Sequence, residues 1–259
     1  MSEVFNWKRF SKWYLHDLKN IWKNYKINLL LTGLMPFSLF LVFGFVTMCF
    51  TGEWHLPDTF WRIMMFVVAG AIFIMSFPAM SYGNITDKKI GAQWILLPAS
   101  REEKFISMML NTLLLTPVLF LSMYACADAL LSFLGLAEGK TLYALFTELN
   151  NDRVYIDINV KLFIFFSISI YALVFLVGAV YFKKRKVSGT VLALFILQII
   201  VSSLLGLFVM FPGVTYEDIF FAHRENIELA INIFIYIAIL FHYLILGGLV
   251  FVKLKTIKY

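Results

Sequence analysis

Six long apolar runs set what this chain can become. They cover 27–50, 60–82, 105–136, 162–182, 188–211 and 227–252. A helix rises about 1.5 Å per residue, so about 20 apolar residues cross the roughly 30 Å hydrocarbon core of a bilayer. The runs are continuously apolar and do not alternate with period two, so they read as helices and not as barrel strands. Composition agrees. Hydrophobic residues make up 61% of the 259 and charged residues 15%, with a mean hydropathy of +0.83. Soluble domains hold roughly 45–50% apolar and about 25% charged residues. Too few polar side chains remain to cover a water-facing surface, which excludes both a soluble globular protein and a disordered one. The spans and their connections use up the chain, leaving no room for a soluble catalytic domain.

The net charge of +6 does not point to nucleic acid. Of the 22 Lys and Arg residues, only Arg62, Lys140, Arg153, Lys161 and Arg224 lie in or beside the connections at 51–59, 137–160 and 212–226. The other 17 lie before the first run, in 83–104, in Lys183–Lys186 and after the last run. Basic residues are retained on the cytoplasmic side, so the expected topology has both termini in the cytoplasm, in a cytoplasmic (inner) membrane.

Cys49 and Cys126 show no metal-binding spacing. Both fall near the outer ends of runs, where a bridge is open to them, but the favoured reading is two small buried apolar residues. The first 26 residues contain no continuous apolar stretch of the cleavable-signal kind.

Those first residues carry a different pattern. Val4, Trp7, Phe10, Tyr14, Leu18, Ile21, Trp22 and Tyr25 fall on one face of a helix, with Lys8, Arg9, Lys12, Lys19, Lys23 and Lys26 opposite. A basic amphipathic helix over 1–26 is expected to lie in the interface, its aromatic face (Trp7, Phe10, Tyr14, Leu18, Trp22 among its residues) meeting lipid and its lysines meeting anionic headgroups. Residues 83–104 are too long for a tight turn and too polar to span. Asn84 and Asp87 start a short helix through Trp94, Pro98 stops it, and Ser100 with Glu103 forms a capping box that opens the third long helix. At 212–226, Pro212-Gly213 ends the fifth helix and Thr215 with Asp218 reads as a new N-cap before an apolar Ile219-Phe220-Phe221 stretch.

Polar side chains inside spans are costly in lipid and need a reason. Asn111, Asp128, Gln198, Asn232 and His242 are such residues. Asp128, Gln198 and His242 are candidates for a substrate path; the competing reading gives Asp128 headgroup contact or a partner on another helix, and His242 a helix–helix hydrogen bond. Pro36, Pro78 and Pro117 are expected to kink their helices. No GxxxxGK[ST], HExxH or GxSxG motif occurs, and His and acidic residues are scattered. The chain is therefore expected to bind no nucleotide, to need no cofactor or metal and not to be an enzyme.

The order of these elements resembles the permease subunits of ABC-2 type transporters. The matching stretches are residues 4–26, 84–97, Lys183–Lys186 and 212–226, together with LLPASREEKF at 96–105. The resemblance implies an N-terminal elbow helix and six spans over 27–259. It also implies a coupling helix in the first cytoplasmic loop and an outer element that partly re-enters the membrane. It further implies a second permease subunit (identical or a paralogue) and a separate ATP-binding cassette subunit. That subunit would dock on Lys88, Lys89, Ile90, Trp94 and Ile95 and drive export. Two other readings compete: a non-transport polytopic protein (scaffold, immunity factor or sensor subunit), and an intramembrane enzyme or channel.

Overall fold

The computed structural model of the protein describes residues 5–86, 91, 97–136, 141–151, 160–209 and 224–257. Among them all regular structure is helical. Six helices are long and apolar enough to cross a membrane: Tyr25–Thr51, Thr59–Thr86, Arg101–Phe133, Lys161–Tyr181, Lys186–Ser203 and Ile235–Thr256. Each overlaps one of the six apolar runs, because run length and continuous hydrophobicity are the strongest signals a sequence holds.

Helix α1, Trp7–Thr51, is 45 residues long, about 67 Å at 1.5 Å per residue. The Asn6 side chain caps it by accepting from the Lys8 and Arg9 N–H groups, and Gly52 ends it in the left-handed region at φ 78°. Residues 7–26, read from sequence as an elbow, thus run into the first span without a break. Helix α2, Thr59–Tyr82, is capped by the Asp58 side chain and followed by a 3₁₀ turn at Gly83–Thr86.

The third span has two parts. Helix α3, Arg101–Leu110, opens on the Ser100–Glu103 capping box read from the sequence. A π turn at Asn111–Leu115 leads into α4, Thr116–Phe133. Pro117 accounts for the irregularity. It has no N–H for the Leu113 carbonyl four residues back. The Ser169 hydroxyl donates to that carbonyl instead, at 2.9 Å. The Thr116 N–H and hydroxyl both donate to the Asn111 carbonyl. Pro36 and Pro78 sit inside unbroken helices.

A short helix α5, Leu142–Asn151, lies where the sequence reading places an outer loop. Then come α6 (Val160–Tyr181), α7 (Lys186–Val209) and α8 (Arg224–Thr256). Helix α6 is the centre of the bundle: Ala172, Leu173, Leu176, Ala179 and Val180 are fully buried, packing with Phe73, Phe77, Met108 and Val250. A tight turn joins α6 to α7, with Arg185 left-handed at φ 51°. A Cβ on Gly178 would lie 1.7 Å from Thr190 Oγ1, so only glycine allows these two helices their close approach. The outward faces of α1, α7 and α8 carry exposed Phe45, Leu192, Phe195, Leu244 and Phe241. In water such a surface would aggregate; in lipid it is solvated. Cys49 and Cys126 are both free and exposed, which corrects the expectation of burial: they sit on outward helix faces, where a small apolar side chain meets lipid at no cost.

Candidate functional site

Polar side chains inside the bundle gather in two junctions. The first joins α1 to the second and third spans. Asp17 is 7% exposed, and its Oδ2 accepts from Ser107 Oγ at 2.6 Å, Tyr82 Oη at 3.0 Å and Asn111 Nδ2 at 3.0 Å. Asn111 Nδ2 also donates to Tyr82 Oη at 2.6 Å. Asn111 Oδ1 and Thr112 Oγ1 are buried without a hydrogen-bond partner among the described residues. Two turns earlier on α1, the Arg9 guanidinium grips Glu103: Nη2 donates to Oε1 at 2.8 Å and Nε to Oε2 at 2.8 Å. Glu103 is fully buried and accepts as well from the Asn6 and Ser100 N–H groups, each at 2.9 Å. One carboxylate thus caps α3 and holds the start of α1. Lys104 donates to the Leu97 carbonyl and lies 5.6 Å from the Trp13 ring centre.

Burial pushes the Asp17 carboxyl above its ordinary value; the donated hydrogen bonds and the nearby His16 oppose the shift. Folded Asp17 therefore keeps its proton to higher pH than it does in the unfolded chain. Its stabilising contribution is present below the unfolded value, about 4, and is lost as pH rises through the raised folded value. Asp17→Asn keeps the shape and an acceptor oxygen but cannot ionise. Relative to wild type, the variant should gain stability as pH rises above the unfolded value, until the raised folded value is passed, measured as melting temperature in detergent. A difference that stays constant with pH would contradict the buried titration.

The second junction is at the opposite end of the bundle. Arg62 Nη2 lies 2.6 Å from Asp128 Oδ1, with the two side chains only 4% and 5% exposed. Arg62 Nε donates to the same oxygen at 3.2 Å, and Nη2 also reaches Ser132 Oγ at 3.3 Å. The other carboxylate oxygen, Oδ2, accepts from the Leu142 N–H at 2.8 Å. The ion pair therefore fastens α2 to α4 and pins the first residue of α5. Tyr124 Oη donates to the Arg62 carbonyl.

Beside this junction is a cavity of about 570 Å³ between α2, α4, α5 and α6. Phe66, Leu121, Tyr124, Leu142, Phe146 and Ile164 form most of its wall. Lys161 also lines it, its ammonium 4.0 Å from the Tyr143 ring centre.

The structure separates the residues proposed for a substrate path. Asp128 is bound to Arg62. Gln198 is exposed on α7 and donates to Ser202 of the same helix; His242 is exposed on α8, with Nδ1 2.6 Å from the Ala238 carbonyl. No hydrogen bond among the described residues joins the three. On the N-terminal segment Phe10 is buried, Tyr14 and Leu18 are half-buried, and Trp7 and Trp22 are exposed at 74% and 62%. The buried face is Phe10, Trp13, Asp17 and Ile21, turned from the aromatic stripe by roughly 70° on a helix of about 100° per residue. Lys88, Lys89, Ile90, Trp94 and Ile95, and most of 212–226, lie outside the described residues. Sequence reading misses Asp17, Glu103's second role and Arg62, whose charge it assigns to a connection. The available signal was charge within or beside apolar runs: an Arg and an Asp both near the same ends of neighbouring spans invite pairing. Among the described residues no cluster of His, Cys, Asp and Glu is arranged to hold a metal ion.

Compared with known proteins, the chain matches no family model, no curated protein and no solved structure. What stands is the class: an all-helical chain with six helices able to cross a membrane, consistent with a multi-pass membrane protein.

Proposed function

We propose that this chain is the membrane-spanning permease subunit of an ABC-2 type exporter. It would sit in the inner membrane with both termini cytoplasmic, pair with a second permease subunit and draw energy from a separate ATP-binding cassette subunit. The observation that supports this best is the α1 junction. Arg9–Glu103 and the Asp17 cluster fix the N-terminal half of α1 to the start of the third span, directly after the loop at 83–100. A partner that pushes on that loop would move α1 and the third span as one body. This is the rigid linkage that a membrane subunit without a nucleotide motif needs to receive work. The 17-to-5 distribution of Lys and Arg supports the orientation.

The direct test is isolation of the tagged full chain in mild detergent, followed by mass spectrometry. Recovery of a P-loop ATPase in near-equal amount is expected. Its consistent absence from a preparation that retains the folded chain would count against the transporter reading. Cysteine labelling at residues 150 and 185 should place them on opposite sides of the membrane; labelling of both from one side would overturn the topology. Within the loop, Trp94 is the largest apolar anchor. Truncating a central aromatic of an interface often costs about 2 kcal/mol, roughly thirtyfold in affinity. Trp94→Ala should therefore leave the chain inserted and folded while weakening ATPase co-purification by that order under dilute conditions. Wild-type recovery would remove Trp94 from the coupling surface.

A further inference from the structure

We infer that Ser188, Val191, Phe195, Gln198 and Ser202 on α7 form the seam on which a second copy of this chain packs, with the two Gln198 side chains paired across a twofold axis along the membrane normal. The inference rests on the pairing with a second permease subunit proposed above and makes that subunit an identical copy.

The first observation is where α7 leaves its own bundle. Val187, Thr190 and Leu194 pack it against the rest of the chain, with Thr190 seated at Gly178 of α6. From Phe195 to Ser203 every residue is exposed, although these residues belong to a helix able to cross the membrane. The second observation is a polar group in that stretch. Gln198 follows Lys186, at the start of α7, by about 18 Å of helix, which brings it near the middle of a hydrocarbon core of roughly 30 Å. Its Nε2 donates to Ser202 Oγ at 3.3 Å, and among the described residues the amide makes no other hydrogen bond. An amide carries two N–H donors and a carbonyl acceptor. The second N–H and the Oε1 carbonyl therefore face acyl chains, which neither donate nor accept, and a polar group left unpaired there is costly. At such depths Gln side chains hydrogen-bond to another helix. The bond to Ser202 keeps Gln198 out of the interior of its own bundle, so that other helix comes from outside it.

The third observation is spacing. Ser188, Val191, Phe195, Gln198 and Ser202 recur at alternating steps of three and four residues, the seam of a left-handed helix pair. All five are exposed. At about 100° per residue the seam is turned about 90° from Val187, Thr190 and Leu194, so α7 holds its own bundle with one face and offers a neighbour the other. The amide identifies that neighbour. Two copies inserted in one membrane share an orientation, so their closed pairing has its twofold axis along the membrane normal, and a helix at the axis meets itself at equal depth. A side chain there must be its own complement. Gln198 is: each amide can donate an N–H to the carbonyl of the other. One polar residue in an apolar seam also fixes register and the number of strands. Phe195, 63% exposed, stands one turn away and gives the pair an apolar knob beside the two amides.

The test uses the full chain with Cys49→Ser and Cys126→Ser, which removes the two free exposed thiols, in phosphatidylcholine vesicles. Val191→Cys and Ser202→Cys, introduced one at a time, should oxidise to a covalent homodimer. Ala193→Cys and Ile200→Cys, at similar depths on the opposite side of α7, should not. Energy transfer between copies labelled at the C-terminus, followed as added lipid dilutes them, then measures affinity with the seam intact. Gln198→Leu should weaken dimerisation about tenfold, or about 1.4 kcal/mol. Leu is favoured in a span, so failed insertion does not explain such a loss, and Gln198→Asn, which offers the same groups, should restore most of it. The inference is overturned if the four cysteines cross-link equally, if the chain stays monomeric at the lowest lipid content, or if Gln198→Leu pairs like wild type. It is overturned too if the Val191 and Ser202 cysteines, oxidised in native membranes, join a different protein and not a second copy. ATPase recovery without these cross-links would leave the transporter reading standing and remove this seam; a cross-linked homodimer without an ATPase would do the reverse.

Discussion

Arg62→Ala should be the most damaging single change in the bundle, lowering stability by about 3–5 kcal/mol, the range for removing one partner of a buried ion pair. The Arg62–Asp128 pair is almost wholly shielded from solvent. Removing the guanidinium leaves the Asp128 carboxylate in an apolar wall with, among the described residues, the Leu142 N–H as its remaining donor. The effect is of broken pairing rather than lost charge attraction, because desolvating both ions already offsets much of their mutual gain. A compensating double variant separates these ideas. Arg62→Met with Asp128→Asn removes both charges, keeps an oxygen for the Leu142 N–H and roughly conserves volume, so it should recover most of the loss. Thermal unfolding in detergent measures all three proteins. If Arg62→Ala melts with wild type, or if the double variant is no better than the single, the junction does not hold α2, α4 and α5 together as described.

This pair also shows what can be read from such a sequence and what cannot. The six membrane-crossing helices were legible, since continuous hydrophobicity over about 20 residues has few alternatives in structure. The Ser100–Glu103 box was legible because capping is local and its spacing is fixed. The pairing of Arg62 with Asp128 was not: Asp128 stood out, but Arg62 counts with an outer connection. Arg62 lies three residues into α2, where a positive charge is equally compatible with headgroup contact, and the partner is 66 residues away. The face of α1 turned to the bundle was not legible from its aromatics. In water the apolar face of a helix turns inward, but in lipid a Trp or Phe is satisfied on either side. The aromatic stripe, read as lipid-facing, has Trp7 and Trp22 exposed and did not mark the face turned to the bundle. Asp17 did, because a carboxylate among apolar neighbours must find donors, and the other helices supply Tyr82, Ser107 and Asn111. In a membrane bundle the polar exceptions are the better guide to the interior. By the same logic Gln198 and His242, whose side chains bond to their own helices, carry no such information.

Glu103→Ala should release the N-terminal segment of α1 while leaving the six-span core folded. Glu103 serves four groups at once: the Arg9 guanidinium and the N–H groups of Asn6 and Ser100 on one carboxylate, with its own N–H closing the cap on Ser100 Oγ. Arg9 keeps 30% of its side-chain surface exposed, so it rehydrates after the change and the ion pair itself counts for little. More is lost with the two part-buried backbone donors, the Asn6 N–H and the Ser100 N–H of the capping box, left without an acceptor, about 1–3 kcal/mol each before relaxation. A local loss of about 3 kcal/mol raises the open population of the segment by roughly a hundredfold. Hydrogen exchange should therefore accelerate by that order at residues 7–16 of α1, fade towards Asp17, where Tyr82, Ser107 and Asn111 still hold the helix, and leave α6 unchanged. Arg9→Gln, which removes only the exposed partner, should give a much smaller acceleration over the same residues. Equal effects of the two variants would mean that the ion pair, and not the shared cap, fastens α1 to the third span. No acceleration in either would mean that the Asp17 cluster alone bears the junction, and that a push on the loop before Ser100 reaches α1 through Ser107 and Asn111.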